Sequence, residues 1–549
     1  MNVFIKILIG FLFLFLPFAF AGTEPWAFVV LQSVLLLGWV CVLFSQEVLY
    51  RTPLLKPVFY TLGMLVLFSL LQALFPQTQL DPVSPFHPLT LMRLYTLEHA
   101  SMFVTYLAVV ALVMQIAPSQ QEIKHLLEWS VISALLVALV CVSLPKGEYI
   151  FKLTGLRGGV GPFLNRNHAS LFFALNALLA LGLFFTKGLE TARHVFSSRQ
   201  KRTFWLQQIC LGMVFIALAI ATVMTRSRGG MLALLTGLFV YAFLYAYAIP
   251  KQMRKKLKGI FITLVALILT TGWIVTHTQD INAFAQRATN ASEETRKMLY
   301  RSSFDILKKY PVWGIGIGAM PVVITSYTEW DVRAYVERLH NDWLEILLGI
   351  GYLGAVFILW GVGWFIWRAL RTLKRLELRK QLLFTSLISM VCAMGVGSLV
   401  DFHFFIPANA FIFFVILGLM AAPSYALHHV HHVRLRVMNR LCIILLLAGV
   451  MYFPVQKMLA WRLSVFGKGL KHQAKITAYT QALEHYPSPR YAFRLAAGYW
   501  NASHYANTQQ EKQQLRQAAL AVTEEYLKKY PREKELSRLY VRVHGSMGK

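Results

Sequence analysis

Apolar runs of about twenty residues recur along the whole chain, separated by short polar and often basic segments. They lie near 3–21, 26–44, 55–75, 97–117, 125–144, 168–186, 205–224, 229–248, 259–277, 347–368, 382–400, 407–422 and 441–458. A helix needs about 20 apolar residues to cross the hydrocarbon of a bilayer. The run at 407–422 is short for that, and the others are adequate. The pattern predicts an all-α, polytopic membrane bundle of about 12–13 transmembrane helices. Two stretches are polar and long enough to fold outside it: a loop at 278–346 and a C-terminal segment at 459–549.

Composition supports this class, with 57% hydrophobic and 14% charged residues and a mean hydropathy of +0.53. A net charge of +29 would by itself fit a nucleic-acid binder, but the positions of the charges argue against one. Lys187, Arg193, Arg199, Lys201 and Arg202 form one cluster; Lys251, Arg254, Lys255, Lys256 and Lys258 form the next. Arg371, Lys374, Arg375, Arg379 and Lys380, then Arg434, Arg436 and Arg440, complete an every-second-loop alternation. Cytoplasmic loops collect Lys and Arg, so the chain is expected to start in the cytoplasm and to place 278–346 and 459–549 on the opposite side. Phe18-Ala19-Phe20-Ala21 imitates a signal-peptide cleavage site; with only Lys6 ahead of it, a retained first helix is the expected reading. Cys41, Cys141, Cys210, Cys392 and Cys442 fall in or beside apolar runs and form no disulfide or metal-ligand spacing.

Within 278–346, Gln279 to Arg296 reads as helical, and the pattern breaks at Tyr310-Pro311-Val312-Trp313-Gly314-Ile315-Gly316-Ile317-Gly318. No βαβ pattern surrounds these glycines, so a tight turn on the membrane surface is expected rather than a nucleotide loop. In the C-terminal segment, Ala482-Leu483-Glu484-His485-Tyr486-Pro487 and Tyr526-Leu527-Lys528-Lys529-Tyr530-Pro531 recur 44 residues apart, each followed by Arg-Leu at Arg494 and Arg538. Helices closing at Tyr-Pro fit a tetratricopeptide-like hairpin repeat, with the polar stretch near 501–515 as an insertion. Such a domain could bind a partner or acceptor, or stabilise the membrane domain.

The segment Arg338-Leu339-His340-Asn341-Asp342-Trp343-Leu344-Glu345 places an imidazole where the long outer loop meets an apolar run. Imidazole has an ordinary pKa of about 6.5, which suits general-base work near neutrality. Cations on the same face run against the topological trend: Arg226 and Arg228 in a short hairpin, Lys152, Arg157 and Arg166 beside Asn167 and His168, then Arg296 and Arg301. Guanidinium forks match phosphate oxygens, so the cluster points to a phosphate-bearing ligand, although any one of these residues could simply snorkel. The first outer loops hold only Glu24 and Asp81 as acids, too few to pair around a divalent cation. Asp401-Phe402-His403 is weak as a metal site, and Asp401 is expected to pair with an outer arginine or to cap a helix. The run His428-His429-Val430-His431-His432 reads as part of a basic cytoplasmic face.

Ser227-Arg228-Gly229, Arg296 with Tyr300, Pro311-x-x-Gly314-x-Gly316, His340-Asn341-x-x-x-Glu345 with Gly351-x-x-Gly354, and Ser398-Leu399-Val400-Asp401 with Pro407-x-Asn409 together resemble the O-antigen ligase/polymerase superfamily. The likeness is good over about 150–420 and rests on topology elsewhere. It implies a GT-C-like, metal-independent, inverting glycosyltransferase without a cofactor, in the bacterial inner membrane. Residues 1–458 would form the transferase domain and 459–549 a periplasmic repeat domain. The donor would be a glycan on undecaprenyl diphosphate; the acceptor would be lipid A-core, another lipid-linked glycan or a protein hydroxyl. His340 would be the general base, and Arg228 and Arg296 would stabilise the departing diphosphate. Arg226, Tyr300, Asn341, Arg157, Arg166, Asn167 and Asp401 would line the substrate site. A lipid-linked-glycan flippase is the reading from another class; it would be expected to carry charge deep within its spans or inverted repeats.

Overall fold

The computed structural model describes residues 2–45, 48–77, 88–116, 120–143, 160–191, 198–248, 262, 266, 291–324, 327, 336–421, 431–434, 436–530 and 534–547. Among them, ten helices are long and apolar enough to cross a membrane, and two shorter apolar helices accompany them. The chain is an all-α, multi-pass membrane protein. The apolar run at 259–277 lies almost wholly outside the described residues.

In chain order the membrane helices are α1 (Asn2–Phe18), α2 (Pro25–Ser45), α3 (Lys56–Leu74), α4 (Arg93–Ile116), α5 (Gln120–Ser143), α6 (Arg166–Thr191), α7 (Ser198–Met224) and α8 (Arg228–Ala248). The amphipathic helix α9 (Ala291–Lys309) follows, then α10 (Asp342–Arg375), α11 (Leu378–Gly397), α12 (Pro407–Leu419), α13 (Val437–Val450) and α14 (Tyr452–Lys468). Helix α6 is apolar on every side, the mark of a central helix. Ala169, Leu171 to Leu175 and Ala177 to Leu181 are all buried as α7, α8 and α11 pack around it.

At one end, a two-stranded antiparallel ribbon joins β1 (Val48–Arg51) to β2 (His431–Arg434), two segments assigned to the Lys/Arg-rich side. His428 to Val430 lie outside the described residues. At the other end, the starts of α6, α8 and α10 meet the connection between α11 and α12.

The glycine segment differs from the expected surface turn. Residues 314–320 are buried in the protein. Gly314, Gly316 and Gly318 take φ of 73°, 94° and 84°, and α10 itself breaks at Gly351 with φ 63°. The freed backbone pairs across this break: Ile315 N donates to Leu348 O, Gly316 N to Gly349 O and Tyr352 N to Pro311 O. Gln72 on α3 completes the joint, its amide nitrogen donating to the carbonyls of Trp313 and Gly349 at 2.7 Å each. Side chains at these φ values would be strained and would meet neighbouring backbone, so glycine spacing here builds an interior clamp that fixes where α10 starts.

Beyond α14, the helices α15 (His472–His485), α16 (Pro489–Ser503), α17 (Gln509–Lys529) and α18 (Lys534–Met547) pack in sequence as hairpins. The two Tyr-Pro signals have a common structural cause, because Tyr486 and Tyr530 are the C-caps of α15 and α17. The polar stretch after 508 is absorbed as helix: α17 has 21 residues against 14 in α15.

Candidate active site

His340 closes the segment ahead of α10 in a left-handed conformation, φ 55°. For a non-glycine residue this costs about 1–3 kcal/mol and persists only where its surroundings impose it. The restraints are local. Asn341 caps α10, its side-chain oxygen accepting from Leu344 N at 3.0 Å. Glu345, one turn into the helix, accepts from Arg338 Nη1 at 2.6 Å and from Leu339 N at 3.1 Å. The Arg338 guanidinium also covers the Phe405 ring at 3.9 Å. Tyr300 on α9 donates from its hydroxyl to His340 O at 3.3 Å.

The His340 side chain is about one-third exposed, whereas that of Asp401 is nearly fully buried. They meet at 2.9 Å, His340 Nδ1 to Asp401 Oδ1. Asp401 Oδ1 also accepts from Phe402 N at 2.9 Å, and Oδ2 accepts from Asn167 Nδ2 at 2.5 Å. His168 Nε2 stands 3.9 Å from the same carboxylate. Burial pushes the Asp401 carboxyl up, but the imidazoles of His168 and His340 outweigh it, and the group is held well below the usual carboxylate range. An ionised carboxylate only accepts, so His340 Nδ1 carries the hydrogen and Nε2 presents the basic lone pair.

This overturns the expectation that Asp401 pairs with an arginine or caps a helix. Its partners are a histidine and an asparagine from two other elements, and its burial keeps it off the exposed surface. Asn341 likewise spends its side-chain oxygen on a helix end.

A second carboxylate, Asp342, was not singled out from the sequence. It is buried and accepts from the backbone nitrogens of His403 and Phe404 at 2.7 and 2.9 Å, while its own nitrogen donates to Ser398 O. It thereby ties the start of α10 to the 398–406 connection that carries Asp401. His168 and His403 stood in quoted motifs but were given no role from the sequence; their rings are 5.5 Å apart. Asn409 Nδ2 donates to His168 O at 3.1 Å and lies 3.4 Å from His403 Nδ1. The only local signals were an Asn-His pair at a helix start and an Asp-x-His triplet, each common by chance.

Burial, followed by the nearby His168, pulls His403 down to about 3. A histidine depressed in the fold stays neutral there, while the unfolded chain takes up a proton below about 6.5. Its contribution to stability is therefore complete above that value and drains away as pH falls towards 3. The melting temperature of the detergent-purified protein is expected to drop between pH 6.5 and 4, with a shallower slope in His403→Gln; equal slopes would remove His403 as the cause.

Several of the arginines lie on elements that touch this pair or its connection. Arg166 is the exposed first residue of α6, next to Asn167. Arg228 is the exposed first residue of α8. Gly229 abuts the Asp401 connection so closely that a Cβ there would come within 2.6 Å of Val400 Cγ2. Ser227 caps that helix by accepting from Gly230 N at 3.2 Å, and Arg226, half-buried, turns into it with φ 57°. Arg296 is half-buried one turn ahead of Tyr300 on α9, the spacing that puts both on one helix face. Arg157 lies outside the described residues. Three helix N-termini thus converge on the 398–406 connection, each adding partial positive charge to that of the arginines.

At one end of the apolar bundle the structure thus combines a restrained histidine, a buried carboxylate that bonds it and the starts of helices that carry arginines. The family model described as O-antigen ligase matches residues 213–359, the stretch from α7 through His340 into α10. Over that stretch the chain is similar to the O-antigen ligase family, which supports a membrane glycan ligase or polymerase type of activity. Comparison with curated proteins gives no match.

Proposed function

We propose that the protein transfers a glycan from undecaprenyl diphosphate to an acceptor hydroxyl on the periplasmic face of the bacterial inner membrane, as an O-antigen ligase or surface-polysaccharide polymerase. The membrane domain would span 1–458, with the N-terminus cytoplasmic and 459–549 periplasmic. The observation that carries this is the bond from His340 Nδ1 to Asp401, which leaves Nε2 as the base. Nε2 removes the acceptor hydroxyl proton as its oxygen forms a bond to the anomeric carbon. The bond from that carbon to the diphosphate oxygen breaks in the same displacement, inverting the configuration. Arg228 and Arg296, with Arg226 and Arg166 nearby, stabilise the charge gathering on the departing diphosphate. Both oxygens of the Asp401 carboxylate are already committed to protein donors, which favours arginine over a metal ion for this task.

Protein O-oligosaccharyltransfer is the second reading, since the same chemistry serves a protein hydroxyl. Purified full-length protein in lipid vesicles, supplied with a defined undecaprenyl-diphosphate glycan and each acceptor class in turn, tests the set. Released undecaprenyl diphosphate and an inverted anomeric linkage, unchanged by chelator, are expected. Retention of configuration or dependence on a divalent cation would overturn the mechanism. Arg228→Lys keeps the charge and loses the fork, and is expected to lower kcat by about 10²-fold. An unchanged kcat removes Arg228 from the leaving-group role.

A further inference from the structure

We propose that the C-terminal helix-hairpin domain is a positioning device for the His340 segment, held to it through a carboxylate hub at Glu98; this rests on His340 as the base. Glu98 lies in the second turn of α4, and the C-terminal region takes both of its carboxylate oxygens. Lys457 Nζ on α14 donates to Oε1 at 2.5 Å, and the Tyr486 hydroxyl at the end of α15 donates to Oε2 at 2.5 Å. Tyr486 is almost fully buried, and Tyr95, one turn before Glu98, stacks on it with ring centroids 6.0 Å apart. Ala460, Ala482 and Tyr491 seal the joint against Leu94 and Tyr95.

From this hub the contacts run to the three residues before His340. His99, beside Glu98, packs its ring on Phe405 at 5.4 Å, and Phe405 carries the Arg338 guanidinium. Arg490, in the first turn of α16, pairs with Glu337 at 3.2 Å. Tyr530, the C-cap of α17, packs against the cluster that buries Leu339 with Leu299 and Leu344. Glu337, Arg338 and Leu339 are thus each linked to the C-terminal domain, directly or through α4. His340 then adopts a backbone conformation that only its surroundings can impose. A domain serving solely to recruit an acceptor would need none of these ties.

Full-length protein in vesicles provides the test, with Tyr486→Phe, which loses the hydroxyl and keeps the ring, and Arg490→Glu. Each is expected to speed backbone hydrogen exchange at 337–341 and to lower kcat severalfold to tenfold with the donor KM unchanged. Adding Glu337→Arg to Arg490→Glu should restore both. If exchange at 337–341 and kcat stay within twofold of the parent, the domain is not coupled to the segment. If the acceptor KM rises while exchange at 337–341 is unchanged, the domain binds acceptor instead. Hydrogen exchange needs no turnover, so this result stands apart from the fate of the base assignment, which His340→Ala decides.

Discussion

Replacing His340 by alanine is expected to lower glycan transfer by about 10²–10⁴-fold, the range for loss of a positioned general base. The protein should still fold, because the imidazole is one-third exposed and the segment is pinned by neighbours: the Asn341 cap, the Glu345 clamp and the Tyr300 hydroxyl to the backbone carbonyl. Alanine at φ 55° keeps the strain without the ring. The melting temperature should shift by only a few degrees, and lipid-linked donor should bind with similar affinity. The measurement is released undecaprenyl diphosphate per enzyme under saturating donor and acceptor. Turnover at parental rates would return His340 to a structural role and overturn the base assignment.

Changing Asp401 to asparagine is expected to cost nearly as much, and for a different reason. The carboxylate does not reach the substrate; it holds His340 with hydrogen on Nδ1 and offsets the imidazolium that forms when Nε2 takes the proton. Asparagine is neutral and offers one oxygen where the carboxylate offers two. At present Oδ1 serves both His340 and Phe402 N, while Oδ2 serves Asn167. If the new amide turned its NH₂ towards His340, Nδ1 would become an acceptor and the hydrogen would move to Nε2, removing the base. Loss of the carboxylate from an equivalent Asp–His pair in serine proteases costs about 10⁴-fold. Because the two residues act as one unit, their effects should not add. His340→Ala with Asp401→Asn should be no slower than His340→Ala alone, and a multiplicative loss would show that Asp401 works through something other than His340. The carboxyl is held well below its ordinary range, so the charge is present throughout the neutral region and Asp401 should add no titration there.

Several features were readable residue by residue. Twelve of the thirteen apolar runs correspond to helices among the described residues, because a run of about 20 apolar residues has few other ways to satisfy its backbone in lipid. Tyr486-Pro487 and Tyr530-Pro531 marked helix ends because proline cannot continue a helix. The motif around His340 stood out because it breaks the apolar pattern with titratable groups. Asp401 was visible, but its partner was not. The glycine segment was visible as a turn, but its burial depended on the break in α10 that receives it.

What the sequence determined alone is local in origin: the apolar helices, the alternation of basic loops that sorts them into two faces, the hairpin signals at the C-terminus and the presence of a histidine at the membrane edge. Each depends on residues within a few turns of one another, where periodicity and charge act directly. Only the tertiary structure decided which groups work together. It brought Asp401 to His340 across 61 positions, Asn167 to Asp401 across 234 and Tyr486 to Glu98 across 388. Such pairings are set by how helices pack and where their ends converge, and a polar residue's own neighbours along the chain carry no record of the partner it will meet.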